Sequence, residues 1–118
     1  MKMLFVDDMA ERFDHLVTRW KGPIQWVVSA SEAIDVLGQD TFDADIVSLD
    51  HDLASEHYIR ACSANSGCGC DIVDWICENA DKFREVMFVI HSWNSEAAQR
   101  MYRALINNNL QAKIRAFD

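Results

Sequence analysis

Short apolar runs divide this chain, and between them apolar residues recur at helical spacing. The first run, Lys2–Val6, stops abruptly at Asp7-Asp8. Met9, Phe13, Leu16, Val17 and Trp20 then mark one side of a helix predicted over Met9–Trp20, closed by Gly22-Pro23. Ile24–Val28 reads as a second strand. Ser29 stands three residues before Glu32, the spacing of a capping box. Ala33, Ile34 and Leu37 give the helix that follows an apolar face, and Gly38 ends it. Ala44–Leu49 is a third strand, Asp71–Ala80 a third helix, and Val86–Ile90 the most continuous apolar run. Glu96–Asn107 carries Ala98, Met101, Tyr102, Leu105 and Ile106 on one side, and Ala112–Phe117 is a fifth strand.

Strands and helices therefore alternate from end to end. Each crossover between parallel strands needs a helix packed on the sheet. The expected fold is a single α/β domain over residues 1–118, with a doubly wound five-stranded parallel sheet. Analogy with small doubly wound folds gives the strand order 2-1-3-4-5. No helical pattern follows the fifth strand, which leaves one sheet face partly uncovered and makes a homodimer through it an expectation. Residues 54–70, rich in Ser, Asn and Gly, are longer than the usual strand-to-helix connection and form a candidate lid over an active site.

Composition narrows the class. Half of the 118 residues are hydrophobic, enough for a core without disulfides. No stretch approaches the roughly 18 apolar residues of a membrane helix, and the N-terminal run is too short for a signal peptide. A cytoplasmic location with reduced thiols is the expectation. Cys77 falls in a helical pattern; Cys62, Cys68 and Cys70, with His57, lie in or beside the long loop, and their spacing does not suit structural zinc. The net charge of −8 argues against binding extended duplex nucleic acid. It leaves room for a small phosphate-containing ligand, or an RNA end neutralised by a metal ion. Walker and dinucleotide glycine fingerprints are both missing.

In such a sheet ligands bind beyond the strand carboxyl ends. Three polar clusters fall there: Asp7-Asp8, Asp50-His51-Asp52, and His91-Ser92-Trp93-Asn94. Asp7, Asp8 and Asp50 converge as a dense carboxylate group that calls for a hard divalent cation, Mg2+ or Mn2+. Helix capping is the competing explanation, chiefly for Asp8. His51, flanked by Asp50 and Asp52, and His91 are candidate general acid–base groups, with Asp52 orienting His51. A histidine that merely ties the loop to Asp52 is the plainer alternative. Ser92 and Asn94, beside a helix N-terminus, are candidate phosphate contacts, as is Arg60 in the loop. Trp93 either stacks on a planar ligand or packs at the sheet edge.

The acidic pair after strand one and the aspartate after strand three resemble response-regulator receiver domains. The resemblance implies a flavodoxin-like, receiver-like fold and a magnesium-dependent phosphoacceptor site at Asp7, Asp8 and Asp50. The chain departs from that pattern at strand five, which ends Ile114-Arg115-Ala116-Phe117-Asp118 without the receiver lysine; Lys113 lies near the strand start. The Asp50-His51-Asp52 and Ser92-Trp93-Asn94 motifs are similar, over essentially the whole chain, to a receiver-like family predicted to process cyclic phosphates at RNA ends. That likeness implies metal-assisted hydrolysis of a phosphodiester such as a 2′,3′-cyclic phosphate. The alternatives are a signalling receiver phosphorylated at Asp50 and a phosphate-binding protein without turnover.

Overall fold

A strand that is apolar on both sides needs cover on both faces. In the computed structural model, which describes residues 1–50, 69–91 and 95–115, five strands form one parallel sheet in the order β2-β1-β3-β4-β5, the apolar, buried ones at its centre. They are β1 (Met3–Val6), β2 (Ile24–Val27), β3 (Ile46–Leu49), β4 (Met87–Ile90) and β5 (Gln111–Ile114). The helices are α1 (Ala10–Val17), α2 (Ala30–Leu37), α3 (Gly69–Glu78) and α4 (Ser95–Asn107). This is the doubly wound, receiver-like topology expected from the alternation, and among the described residues no helix follows β5.

Register decides what each face carries. Phe5 lies opposite Trp26 on one side and Ser48 on the other, Ser48 opposite Val89, and Val89 opposite Lys113. Because side chains alternate across a strand, the residues between these rows point the other way. Leu4, Val6, Val47, Leu49, Phe88 and Ile90 form the main core with α2, α3 and α4. The face bearing Met3, Phe5, Ile46, Ser48 and Val89 receives α1.

The main core centres on Phe83, fully buried with ring centroids of Phe42, Trp75 and Phe88 at 5.6, 6.0 and 6.1 Å. Phe83 ends a single 3₁₀ turn, Ala80–Phe83, that is too short to show a period in the sequence. Beside it, Lys82 Nζ donates to the carbonyls of Leu37 (2.6 Å) and Gln39 (2.9 Å), a cation at the negative end of α2. At the other end of α2, Ser29 Oγ accepts from the Glu32 N–H at 3.2 Å. Glu32 in turn accepts from Val28 rather than from Ser29, so the capping box is displaced by one residue.

Element ends moved by a few residues. Helix α1 closes at Val17 rather than Trp20, where Thr18 Oγ1 donates to the His15 carbonyl at 2.7 Å. Gly69 and Cys70, grouped with the loop by composition, begin α3. Strand β5 runs Gln111–Ile114, starting one residue before the expected Ala112 and ending before Arg115; Ala116 and Phe117 lie outside the described residues. The candidate lid up to residue 68, with His57, Tyr58, Arg60, Cys62 and Cys68, lies outside the described residues.

Removing the ring at the centre of the core tests this packing. Phe83→Ala is expected to lower unfolding stability by about 3–5 kcal/mol, read as a lower urea midpoint at unchanged slope.

Candidate metal and phosphate site

Three polar residues prolong the ladder by one step beyond β1, β3 and β4. The Asp7 N–H donates to the Val27 carbonyl (3.2 Å), Asp50 to Val6 (3.0 Å) and His91 to Leu49 (2.9 Å). This places their side chains in one row at the carboxyl ends of adjacent strands, where Asp7, Asp50 and His91 are all buried. Buried polar groups require partners, and here the partners are one another and α1.

Asp7 is the hub. Its Oδ1 accepts from the Met9 N–H at 2.9 Å, a tight turn that leads the chain into α1. Its Oδ2 accepts from His91 Nε2 at 3.0 Å and from Arg12 Nη1 at 3.1 Å. The same Arg12 nitrogen lies 3.2 Å from Asp50 Oδ2, so one guanidinium bridges both buried carboxylates. The Trp26 indole donates to the Asp7 carbonyl at 2.7 Å, and Phe13 of α1 stacks on Trp26 at 4.5 Å. These contacts hold the first turns of α1 where Arg12 can reach back.

His91 is locked from both sides. An ionised carboxylate only accepts, so Nε2 carries the proton that goes to Asp7. Nδ1 then has a lone pair, and Ser48 Oγ donates to it at 2.6 Å. The ring also stacks on Phe5, with centroids 5.0 Å apart and planes 12° from parallel. Burial pushes the His91 pKa down, and Arg12 adds to this; the pull of Asp7 in the other direction is weaker, so the imidazole is held neutral. For Asp7, burial alone acts upward, but hydrogen bonds from His91, Met9 and Arg12 together outweigh it and hold the carboxyl below its usual range.

Asp8 points outward and is exposed. One carboxylate oxygen from each of Asp7, Asp8 and Asp50 lies within 4.8 Å of the others. Two buried carboxylates and one solvent-facing carboxylate, all oxygen donors, suit a hard divalent cation. The N-cap position of α1 is Met9, which makes no side-chain cap, and Asp7 supplies the turn into the helix.

The structure thus brings together Asp7, Asp8, Asp50 and His91. His51, Asp52, Arg60, Ser92, Trp93 and Asn94 lie outside the described residues. Sequence reasoning missed Arg12 and Ser48. Arg12 had a signal: a cation in the first turn of a helix opposes the helix dipole and asks for a reason. Ser48 had a fainter one, as a lone hydroxyl inside the apolar strand Ile46–Leu49.

Comparison with known proteins places the chain in a family and bears out its fold. The model of the cyclic-phosphate processing receiver domain family matches residues 2–107, and the chain belongs to that family. Among solved structures, it is similar to the signal receiver domain of a protein described as a Luxo repressor of Vibrio parahaemolyticus. The TM-score is 0.61 at 18% identity, covering 99% of this chain and 79% of that one. At that identity the likeness speaks to the fold. No curated protein matches the chain. Among the described residues no helix is long and apolar enough to cross a membrane.

Two measurements check the site. Arg12→Ala leaves two buried carboxylates without their shared cation, and is expected to lower stability in EDTA by roughly 3 kcal/mol. Millimolar Mg2+ should restore much of that loss, and Mn2+ should bind the variant more tightly than the wild type because no guanidinium competes. The second concerns pH. His91 is depressed in the folded chain, so below about pH 6.5 the unfolded chain takes up a proton that the native chain refuses. Stability in EDTA is therefore expected to be full above that pH and to fall as the solution is acidified. The depressed Asp7 adds a further loss below about pH 4. Urea titrations from pH 8 to 4 read both phases, and His91→Gln should abolish the upper one.

Proposed function

We propose that this chain is a divalent-cation-dependent receiver in which Asp50 accepts a phosphoryl group from a small phosphoryl donor or a partner kinase. The observation that carries this reading is the gathering of Asp7, Asp8 and Asp50, with an oxygen of each within 4.8 Å of the others. A divalent ion, Mg2+ or Mn2+, held by those three carboxylates would offset the negative charge of an incoming phosphoryl group. A carboxylate oxygen of Asp50 forms the new bond to phosphorus. The bond from phosphorus to the donor's leaving group breaks, and that group departs with the electron pair. His91, with both ring nitrogens engaged, is a positioning residue that holds Asp7. With a cation held by the three carboxylates, Arg12 would keep its bond to Asp7 and could turn its remaining N–H groups toward phosphoryl oxygens through its planar fork.

A second reading is favoured by the family description, cyclic-phosphate processing. In it, His51 acts as general acid–base, oriented by Asp52, and Ser92, Asn94 and Arg60 contact the phosphate of an RNA end or cyclic nucleotide. Water oxygen bonds to phosphorus, one ribose oxygen leaves, and that oxygen takes up a proton.

The two are separated by incubating the protein with Mg2+ and either acetyl phosphate or a 2′,3′-cyclic nucleotide. The proposal expects one hydroxylamine-sensitive phosphate per chain, seen by intact mass, absent in EDTA and in Asp50→Asn. Cyclic nucleotide opened with turnover and without an adduct selects the second reading. Stoichiometric binding of the cyclic nucleotide, with neither adduct nor turnover, reduces the site to a binding function and overturns both.

A further inference from the structure

A recess of about 330 Å³ lies on the α1 face of the sheet, beside α1 and over β3, β4 and β5. It runs along the face of the strands, from Met3 and Ile46 at their starts to His91 and Arg115 one step past the ends of β4 and β5, and His91 separates it from Asp7. Met3, Ile46 and Val89 of the strands and Trp20, just past α1, give it apolar walls. Ser48 and His91, already bound to each other, lie at its inner side.

The rim has the opposite sign from the molecule. The chain carries a net charge of −8. Yet Arg19 stands on one side of the recess and Lys113 and Arg115 on the other, and none of the described residues lining it is acidic. Lys113 and Arg115 are both exposed and lie on the same face of the β5 line, two residues apart.

We infer that this recess is a second binding site, for a small amphipathic anion with an apolar body and a carboxylate, sulfonate or phosphate at one end. Its volume is at the lower end of small-molecule sites, roughly 300–1,000 Å³. Apolar walls with cations at the mouth suit a ligand charged at one end only. A second copy would have to bury Lys113 and Arg115 against a surface whose net charge is negative but whose own recess rim is basic.

Decanoate, used below its micellar concentration in EDTA, is a suitable probe, with decyltrimethylammonium as the cation of matched tail. Calorimetry is expected to show one decanoate per chain, bound at least tenfold more tightly than the ammonium compound. Lys113→Glu with Arg115→Glu should weaken decanoate at least tenfold while leaving the melting temperature unchanged, since both side chains are exposed. Val89→Trp, which fills the recess, should abolish binding. Equal affinity for the two probes, decanoate binding that survives the charge reversal, or no saturable binding overturns the inference. So does a dimer in sedimentation that the charge reversal dissociates, which would assign the face to a second copy. These readings involve neither metal nor phosphoryl donor, so they stand or fall separately from the role of Asp50.

Discussion

One guanidinium holds two buried carboxylates together. Asp7 and Asp50 occupy neighbouring strand ends with almost no access to water, and like charges in such a place drive one another toward protonation. Arg12 resolves the conflict from within the chain, by reaching back from the first turn of α1 to an oxygen of each. The fold can therefore exist without a bound ion and still keep Asp7 ionised. A site arranged in this way is ready for a cation rather than dependent on one. Its affinity is then a difference between two cations, the resident side chain and the incoming metal.

The placement of Arg12 depends on aromatic packing. Phe13 of α1 lies tilted against Phe5 of β1 and stacks on Trp26 of β2, and the Trp26 indole closes on the Asp7 carbonyl. On the other side, Ser48 and His91 pin the outer oxygen of Asp7. Every hydrogen-bonding position of the imidazole is used, and the ring is stacked as well. Around His91 this buried network is fully engaged and so specifies one arrangement of the ring.

Much of this was legible in the sequence, for a physical reason. Parallel strands must be separated by crossovers, so the alternation of apolar runs with helical spacing gave the parallel sheet, while the strand order came from analogy with small doubly wound folds and is the one observed. Aspartates that end an apolar run are conspicuous, which is why Asp7, Asp8 and Asp50 stood out. Helical period, by contrast, says which side of α1 is apolar but not which polar side chain turns back over the helix N-terminus, and Arg12 was overlooked. Ser48 looked like a tolerated small residue, since nothing local shows that its partner stands 43 positions later. The role of His91 needed geometry too: a polar residue at a strand end reads as available, and only its two partners show that it is engaged.

The span of the Asp7–His91 contact has a consequence for how the molecule assembles. The two residues are 84 positions apart and meet only after β1, β3 and β4 have paired in register. A slip of one residue in β3 would turn Ser48 to the opposite face and leave the imidazole without its second partner. The site is thus a late product of folding, with the loop-closure entropy of long-range parallel pairing met before any of its contacts form. A divalent ion bound only by the assembled site would draw the folding equilibrium forward by mass action.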